Sequence, residues 1–366
     1  MSSTIGNLFK VSIFGESHGR YIGITIFGVP SGYSLDFDFI EKMLERRRGM
    51  NELSTLRREK DQYQIISGYF NNKTTGSPLT FIIENKDIED KVYDDIKNVL
   101  RPGHADYASF LKYRGYQDYR GGGHFSGRLT TCMVIAGSIA LLLLKEKGIE
   151  IGSRVKQIYD ILDKDQSIEN ISEVISKLNN QEFPTFSVDQ KAKMIEKIQE
   201  IRKSQDSIGG IVETYVNVNN HIFGDPIFNS IEAKISSYLF AIGGVKGISF
   251  GKGFEFANLK GSQANDQYVV KEGVITQLSN NNGGINGGIT STLPLIIKTV
   301  IKPTSSISKT QSSVNIDTLE NIELSIKGRH DPCIVPRALY VINSLVALAL
   351  IDMIYEEYGK RYFVKD

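Results

Sequence analysis

The chain has 366 residues, 40% of them hydrophobic and 23% charged, which is typical of a globular protein with a sizeable buried core. Its formal net charge of +1 gives no overall attraction to nucleic acid or to an anionic membrane, so we expect neither as a partner. The two cysteines, Cys132 and Cys333, are far apart and lack a CxxC spacing, which argues against a disulfide framework or a structural zinc site. The start of the chain has no apolar signal segment, and these features together predict a cytoplasmic protein.

A short turn near the start is the first candidate functional element. Residues 9–14 alternate between apolar and polar side chains and residues 21–29 are also strand-like, which predicts two strands joined by Gly15-Glu16-Ser17-His18-Gly19. The two glycines allow a tight turn, which would hold His18 at a strand end where it can meet a ligand. From the turn alone, His18 is explained equally well as an ordinary turn residue.

The next predicted element is a helix from near Asp36 to about Arg48, with Ser34 or Asp36 as its N-cap. The apolar face of this helix, at positions 40, 43 and 44, continues to Arg47, so this arginine either snorkels or binds an anion. Residues 46–60 hold six Lys or Arg side chains, which is typical of a solvated face. In a nearly neutral chain, the same concentration of cations also indicates a phosphate or carboxylate ligand.

Two further motifs combine residues that fix the backbone with reactive side chains. After predicted strands at 63–69 and 79–84, the loop 101–106 (RPGHAD) presents an arginine, a histidine and an aspartate. Residues 118–128 (DYRGGGHFSGR) lead directly into an apolar helix at 129–144. Because the first N–H groups of a helix lack partners, such a segment can hold an anion or a cofactor. Its spacing is neither the GxGxxG of dinucleotide-binding folds nor the GxxxxGK[ST] of P-loops.

The rest of the chain predicts a mixture of helices and strands. In order, we expect helices over 155–208 with a turn near Phe183-Pro184, a strand at 211–218, a helix ending at Gly243-Gly244, strand-like residues 247–256, a flexible-looking glycine loop at 280–288, a strand at 293–301, and a second apolar helix at 338–351. Both apolar helices are shorter than the roughly 20 residues of a membrane span, so we expect them to be buried. No linker divides the sequence, and one domain over 1–366 is the simplest expectation.

The distribution of the histidines indicates the kind of ligand. Four of the five, His18, His104, His124 and His330, lie in turns rich in glycine, arginine and aspartate, and only His221 does not. A metal site is one explanation, but the sequence has no HExxH and places arginine beside each of the four, which disfavours a bound cation. Arginine next to histidine suits an anionic substrate, with histidine as a proton donor or as a charge opposite the anion.

Several of these motifs, in this order, resemble the chorismate synthase family along essentially the whole chain. The matching segments are GESHG at 15–19, RRR at 46–48, RPGHAD at 101–106, DYRGGG with S-G-R at 118–128, DSIGG at 206–210, VKG and FGKGF within 245–254, GGxxGGI at 283–289, KPTSSI at 302–307 and RHDPCIVPRA at 329–338.

The resemblance implies an activity and a fold. The activity is the anti-1,4-elimination of phosphate from 5-enolpyruvylshikimate 3-phosphate to give chorismate, which makes the protein a carbon–oxygen lyase of the shikimate pathway. The family requires reduced FMN although the reaction has no net redox change. The implied fold is α+β, a β-α-β sandwich of antiparallel sheets packed with helices, in a homotetramer built as a dimer of dimers.

The resemblance also implies roles for individual residues. Catalysis falls on His18, His104 and Asp331: the histidines supply a proton or balance the charge of the leaving phosphate, and the aspartate helps to take up the ring proton near the flavin. Substrate contacts fall on Ser17, Arg47, Arg101, Arg128 and Arg337. FMN contacts fall on His124, Phe125, Ser126, Gly243, Gly244, Gly287, Lys302, Pro303, Thr304, Ser305, Ser306 and Arg329. No metal ligand is implied.

Two rival functions make different predictions. A metal-dependent phosphohydrolase would lose activity to chelators and be indifferent to flavin. An RNA- or anion-binding protein would use the basic segment 46–60 and show steep salt dependence, but that segment has no aromatic side chain to stack on bases. For the flavin enzyme, no additional domain is visible in the sequence, so we expect an external flavin reductase rather than reduction by NADPH on this chain.

Overall fold

The computed structural model describes residues 3–49, 53, 61–86, 97–326, 328 and 330–363. Its β-strands are β1 (Thr4–Ile5), β2 (Lys10–Gly15), β3 (Tyr21–Phe27), β4 (Tyr63–Ser67), β5 (Tyr69–Phe70), β6 (Lys73–Thr74), β7 (Leu79–Glu84), β8 (Glu150–Ile158), β9 (Ile161–Leu162), β10 (Gly210–Asn217), β11 (Val245–Phe250), β12 (Tyr268–Lys271), β13 (Val274–Gln277), β14 (Ile285–Asn286), β15 (Ile289–Thr290), β16 (Leu295–Ile301), β17 (Gln311–Val314) and β18 (Asn321–Leu324). Its α-helices are α1 (Phe37–Arg48), α2 (Asp106–Tyr113), α3 (Thr130–Glu146), α4 (Ile171–Asn179), α5 (Val188–Lys203), α6 (Ile231–Leu239), α7 (Gly261–Ala264) and α8 (Val335–Tyr358). Short 3-10 helices cover Arg120–Phe125, Gly127–Leu129, Gly253–Asn258 and Lys360–Phe363.

The described residues form two five-stranded sheets, and every strand pair in them is antiparallel. The first sheet has the order β1-β2-β3-β7-β4, and the second has the order β11-β16-β10-β8-β9. In β3 the inward positions Ile22, Ile24 and Ile26 are fully buried. The predicted strand pair around the GESHG turn is confirmed, because β2 and β3 pair directly on either side of it.

Two long apolar helices, α3 and α8, pack against each other; α3 also contacts both sheets, and α8 contacts β8 and β10 of the second sheet. Their backbones approach closely at Gly137, where an added Cβ would lie 2.1 Å from the Cβ of Ser344. One large hydrophobic core joins both sheets and both helices, which confirms the predicted α+β fold of antiparallel sheets packed with helices. Length and composition alone would allow 127–146 and 335–358 to cross a membrane, yet 72% and 100% of their most apolar windows are buried inside the protein.

The helix α1 matches its prediction closely. Asp36 is the N-cap, and its carboxylate accepts a 2.9 Å hydrogen bond from the backbone N–H of Phe39. The buried face of the helix is Ile40, Met43, Leu44 and Arg47, as the spacing predicts. The apolar stripe therefore carries Arg47 into the protein interior.

The prediction of helices throughout 155–208 is wrong at its start, because residues 150–158 form the strand β8, which lies between β10 and β9 in the second sheet. The charges that suggested a solvated helix are paired along this strand. Arg154, which is 1% exposed, binds Asp163 and Glu213, and its guanidinium lies 4.1 Å from the centroid of the Phe186 ring. A buried strand can hold charge when each charge has a partner.

Two boundaries in the second half also differ from their predictions. The helix α6 ends at Leu239, before the Gly243-Gly244 pair. The next strand ends at Phe250, because Gly251 and Gly253 adopt positive φ angles of 55° and 54° and turn the chain. In the glycine loop 280–288, the Asp266 carboxylate anchors the backbone by accepting hydrogen bonds of 2.7 and 2.9 Å from the N–H groups of Asn281 and Asn282.

Candidate active site

The GESHG turn packs against the glycine-rich segment 118–128. Ser17 and His18 are each 8% exposed, and the Ser17 N–H donates a 3.1 Å hydrogen bond to the carbonyl of Gly123. The Ser17 hydroxyl lies 3.2 Å from the carbonyls of Arg120 and Gly121 and 3.0 Å from His18 Nδ1. A carbonyl oxygen can only accept, so the serine proton points to a carbonyl and His18 Nδ1–H donates to the serine oxygen.

One of three consecutive glycines makes room for the imidazole of His18. Gly121, Gly122 and Gly123 all have positive φ angles, of 56°, 84° and 52°. A Cβ on Gly121 would lie 2.1 Å from His18 Cε1, whereas one on Gly122 would meet nothing closer than 4.0 Å. The glycine-rich motif therefore lies directly against a predicted catalytic residue, and only one of its members provides the space.

Asn85, which the sequence analysis missed, connects this turn to a predicted substrate arginine. The Asn85 side-chain amide donates hydrogen bonds of 3.1 Å to the carbonyl of Glu16 and 2.7 Å to that of Gly19. Its oxygen accepts a 3.2 Å hydrogen bond from Arg128 Nε. The only sequence signal for Asn85 is that it is a polar residue directly after a predicted buried strand.

Arg47 links the end of α1 to the start of α3. Its Nε donates a 2.9 Å hydrogen bond to the Thr130 hydroxyl, and its NH2 donates a 3.0 Å bond to the carbonyl of Gly127. Its NH1 lies 3.5 Å from the carboxylate of Asp61, which also pairs with Arg128. Two predicted substrate arginines thus share one buried carboxylate.

A residue in the first turn of α8 also contacts Arg47. Arg337 Nε donates a 3.1 Å hydrogen bond to the carbonyl of Arg47, and its NH1 pairs with the carboxylate of Asp331. The structure therefore brings Arg47, Arg128, Arg337 and Asp331 together where the N-termini of α3 and α8 converge. The unpaired N–H groups at helix N-termini add positive potential there, which favours anions.

Among the other basic residues of segment 46–60, Arg46 makes contacts that stabilise the fold. Arg46 donates a 2.7 Å hydrogen bond to the carbonyl of Asn179, and its guanidinium lies 5.5 Å from the centroid of the Tyr340 ring. It therefore points away from Arg47, as the helical spacing predicts. Arg57, Arg58 and Lys60 lie outside the described residues.

His104 and Arg101 belong to a second group of predicted site residues. Arg101 pairs with Asp106 through hydrogen bonds of 2.8 and 2.9 Å. His104 Nδ1 lies 3.0 Å from the carbonyl of Pro102, and its Nε2 lies 2.8 Å from the Ser306 hydroxyl. Lys302 Nζ donates to the Gly103 carbonyl at 2.8 Å and to the Ser305 hydroxyl at 2.7 Å, so the 101–106 loop is held against 302–306.

The protonation state of this group follows from its surroundings. Burial and the charge of Arg101 lower the pKa of His104 from its usual 6.5. Burial alone would raise the pKa of Asp106, but its hydrogen bonds and ion pair with Arg101 outweigh burial and lower it. At neutral pH His104 is therefore a neutral imidazole with its proton on Nδ1, facing the Pro102 carbonyl, and Nε2 accepts from Ser306.

Contacts along residues 206–208 join the two groups. The Ser207 hydroxyl donates a 2.6 Å hydrogen bond to the carbonyl of Thr304, and the Ile208 N–H donates a 2.8 Å bond to the carbonyl of Pro332. Pro332 directly follows Asp331. A continuous series of contacts therefore connects His18, through the arginines and Asp331, to His104.

A cavity of 310 Å³ opens beside the second group. It is lined by Pro102, Gly103, Asp206, Ser207, Pro303, Thr304, Ser305, Ile307 and Gln311. The Thr304 hydroxyl and the side-chain oxygen of Gln311 are buried there without a hydrogen-bond partner among the described residues. Buried polar atoms normally have partners, so these two indicate that something else completes the cavity.

The remaining predicted flavin residues lie in several places. Both ring nitrogens of His124 have partners within the chain: one lies 2.8 Å from the Gly15 carbonyl and the other 2.8 Å from the Ser3 hydroxyl. The ring of Phe125 is 51% exposed, and Ser126 accepts a hydrogen bond from the Arg128 N–H.

The predicted flavin residues Gly243 and Gly244 lie elsewhere. A Cβ on Gly243 would meet open space. The Gly244 carbonyl accepts a 2.9 Å hydrogen bond from the N–H of Lys302, which joins this glycine pair to 302–306.

The loop that carries Gly287 is anchored at the opposite end of β16 from Lys302. Gly287 lies in the tight turn between β14 and β15, which is anchored near the start of β16 by a 3.2 Å hydrogen bond from Ile296 N–H to the Gly283 carbonyl. Lys302 follows the end of the same strand, roughly 20 Å further along at 3.3 Å per residue. The flavin contact of Gly287 stays a prediction, as does that of Arg329, which lies outside the described residues.

Comparison with known proteins decides the family. The sequence profile of the chorismate synthase family matches residues 9–355. The chain belongs to the chorismate synthase family. The chorismate synthase of Thermococcus kodakarensis is 42% identical over 349 residues, covering 95% of this chain and 96% of that protein. The enzymes named chorismate synthase from Pyrococcus abyssi and Dehalococcoides mccartyi are 43% and 41% identical, again over at least 95% of each chain.

A crystal structure of a chorismate synthase has the same fold. It superimposes with a TM-score of 0.76 at 26% sequence identity and covers 97% of this chain and 94% of that one. The predicted function, chorismate synthase of the shikimate pathway, and the predicted class, a lyase, are confirmed. Within the part of the chain that is described, no three His, Cys, Asp or Glu side chains are grouped as a metal site requires.

Proposed function

We propose that this chain eliminates phosphate from 5-enolpyruvylshikimate 3-phosphate at the site between the starts of α3 and α8, with reduced FMN bound beside 302–306. The observation that carries the proposal is that the family match over residues 9–355 includes every predicted site residue. The contacts from His18 to His104 link most of these residues, although they lie in segments far apart in the sequence.

The arginines at the helix starts suit the substrate, which carries a phosphate and two carboxylates. Arg47, Arg128 and Arg337 carry three positive charges, of which Asp61 and Asp331 offset two. The remaining positive charge and the N–H groups of two helix starts favour an anionic ligand. Arg101 is held by Asp106 in the second group, so its direct contact with the substrate stays a prediction.

The histidines are held in defined orientations for proton transfer. His18 donates from Nδ1 to Ser17, which turns the Nε2 edge of the ring away from the serine. His104 is neutral and accepts at Nε2 from Ser306, a hydroxyl that can in turn exchange its proton with a bound ligand. Asp331, oriented by Arg337, is the proposed acceptor of the ring proton.

Reduced FMN fits the residues around the cavity. Burial, and in addition the charge of Lys246, lowers the pKa of Lys302, so its ammonium group lies in positive surroundings that suit a phosphate. The oxygens of Thr304 and Gln311, which have no hydrogen-bond partner among the described residues, suit the hydroxyl or N–H groups of a polyol chain or a ring. When bound, reduced FMN would supply electron density to a C–H cleavage for which a side-chain base alone is weak.

The decisive experiment is an anaerobic assay of chorismate formation with dithionite-reduced FMN. We expect chorismate from the wild-type protein and strongly reduced formation from His18→Ala and Asp331→Asn. Absence of chorismate from a folded wild-type protein supplied with reduced FMN and substrate would overturn the proposal. Chelators should have no effect, in contrast to a metal-dependent phosphohydrolase.

We also propose that the flavin is reduced outside this chain. Both large sheets of the described residues are entirely antiparallel, whereas the common dinucleotide-binding fold uses parallel strands. Chorismate should therefore form with dithionite-reduced FMN but not with oxidised FMN and NADPH alone. Turnover with NADPH alone would instead identify a bifunctional enzyme.

A homotetramer and a cytoplasmic location complete the proposal. The hairpin β12–β13 exposes apolar side chains, among them Tyr268 at 69% and Ile275 at 70%, and such exposed apolar surface marks an interaction site. Light scattering coupled to gel filtration should give four times the 40.9 kDa chain mass. The two free, buried cysteines are compatible with a reducing compartment.

A further inference from the structure

The carboxylate of Asp61 lies between two guanidinium groups from different elements. One of its oxygens accepts a hydrogen bond from Arg128 NH1, and the other lies 3.5 Å from Arg47 NH1. The Asp61 side chain is 2% exposed, and those of Arg47 and Arg128 are 7% and 5% exposed. This three-residue group, Arg47–Asp61–Arg128, is therefore almost completely removed from water.

Charge explains why a carboxylate is needed there. Two neighbouring buried guanidinium groups repel each other and lose their hydration, which is costly without a counter-ion. Asp61 lowers the net charge of the group from +2 to +1. One positive charge then remains to bind an external anion. Because the carboxylate lies between them, both arginines can stay buried despite their mutual repulsion.

Hydrogen bonds transmit the position of Asp61 to the catalytic turn. Arg128 is held by Asp61 at NH1 and by the Asn85 oxygen at Nε, at 3.2 Å. The amide nitrogen of Asn85 binds the carbonyls of Glu16 and Gly19, on either side of Ser17 and His18. A shift of Asp61 would thus alter Arg128 directly and the turn that carries His18 indirectly.

We propose that Asp61 is a positioning residue for substrate binding: it fixes the guanidinium groups of Arg47 and Arg128 in the arrangement that receives an anionic group of the substrate. It is not itself a contact of the substrate. This inference rests on the proposed function, because it takes Arg47 and Arg128 to bind substrate anions.

Asp61→Asn is the sharpest substitution, because it keeps the shape and one acceptor oxygen but removes the charge. We expect the variant to bind 5-enolpyruvylshikimate 3-phosphate at least tenfold more weakly by titration calorimetry in the presence of oxidised FMN, where no turnover occurs. With reduced FMN, KM should rise to a similar extent and kcat should fall by a smaller factor, because Arg128 is altered directly and the turn that carries His18 only indirectly.

Asp163→Asn is the matched control for breaking a buried arginine pair. The Asp163 side chain is 0% exposed and pairs with Arg154, and it also accepts from the backbone N–H groups of Phe186 and Ser187. None of these partners is a predicted site residue. We expect Asp163→Asn to lower the melting temperature while the substrate Kd stays within twofold of the wild-type value.

Asp61→Glu is the second variant, to be measured if Asp61→Asn fails to fold. It preserves the charge but moves the carboxylate by one methylene, so it should still weaken substrate binding at least threefold. A Kd within twofold of wild type in either folded variant would overturn the inference, as would a loss of kcat with unchanged KM. Because the Kd is measured without turnover, a failure of the proposed reaction remains distinguishable from a failure of this inference.

Discussion

Nε2 of His104 lies 2.8 Å from the hydroxyl of Ser306, a residue 202 positions further along the chain. The other ring nitrogen faces the carbonyl of Pro102 and must therefore carry the proton. Protonation of Nε2 would force the Ser306 hydroxyl to reverse its hydrogen bond. Burial and Arg101 oppose the added charge as well, which is why the pKa of His104 is lowered.

The lowered pKa of His104 predicts how stability depends on pH. In the unfolded chain the histidine titrates near 6.5, so below that pH the unfolded state binds more protons than the folded state. The contribution of His104 is therefore fully present above about pH 6.5 and is lost as the pH falls toward the lower folded value. We expect His104→Gln to reduce the fall in the free energy of unfolding between pH 7 and pH 5.5, measured by urea titration.

Other carboxylates and histidines also titrate in this range, so the relevant quantity is the difference between the two proteins at each pH. Their free energies of unfolding should converge as the pH is lowered. A difference that stays constant from pH 7 to pH 5.5 would show that His104 titrates alike in the folded and unfolded chains.

Gly121 should be essential for the position of His18. An alanine there would place its Cβ 2.1 Å from His18 Cε1, and its φ of 56° is strained for any residue with a side chain. We expect Gly121→Ala to lower kcat by at least tenfold and to destabilise the fold by about 1–2 kcal/mol from backbone strain alone. Steady-state kinetics with reduced FMN and urea unfolding check both quantities.

Gly122→Ala separates backbone strain from displacement of the imidazole. Its φ is 84°, but its Cβ would have no neighbour closer than the Ser126 Cβ at 4.0 Å. It should lose similar stability and keep most of its kcat. Equal loss of kcat in both variants would mean that backbone strain, and not contact with His18, explains the effect.

His18 and His221 offer a comparison between a buried and a half-buried imidazole, both hydrogen-bonded within the chain. We expect His18→Ala to lower kcat by about 10²–10⁴-fold, the usual contribution of general acid–base catalysis. His221 binds the carbonyl of Val218 and the hydroxyl of Tyr362, at 2.9 and 2.6 Å, and no predicted site residue. His221→Ala should therefore lower the melting temperature but leave kcat within about threefold, and a comparable loss of kcat in both variants would contradict the assignment.

Local patterns in the sequence predicted the elements and residues whose role depends on near neighbours. The helix α1 begins and ends within one residue of its prediction, because its N-cap Asp36 and the spacing that buries Arg47 are local features. The GESHG turn and the segment before α3 were recognisable because glycine is required where the backbone adopts positive φ.

Residues whose partners are distant in the sequence could not be predicted in this way. Asp61 binds Arg128, 67 positions away, and Asn85 binds Arg128, 43 positions away, and neither lies in a glycine-rich motif. The charged strand β8 was misread for the same reason, since the carboxylate of Glu213 that pairs with Arg154 lies 59 positions further on. Only the tertiary structure reveals that these charges are paired rather than solvated.

The two cysteines should be chemically inert in the folded protein. Cys132 and Cys333 are 0% and 2% exposed, and burial raises the pKa of each thiol to about 12. Because the thiolate is the reactive form, we expect no reaction with a thiol reagent at pH 8 in the native state and two reacting thiols in denaturant. Rapid modification of a native thiol would show that one of the helix starts opens to solvent.

The crossing of α3 and α8 should tolerate no side chain at Gly137. An added Cβ would lie 2.1 Å from the Cβ of Ser344 and 2.5 Å from its Cα, so Gly137→Ala must push the two helices apart. We expect a loss of about 1–3 kcal/mol in the free energy of unfolding, as for other overpacked cores, measured by urea titration. Ser344→Gly removes the Cβ and hydroxyl but not the Cα. The double variant should therefore regain part of the lost free energy of unfolding, and the part caused by the clash with the Ser344 Cα should remain. Because the starts of both helices carry the arginine site, substrate Kd should weaken along with stability in Gly137→Ala. Full additivity of the two substitutions would mean that the helices do not touch at this crossing.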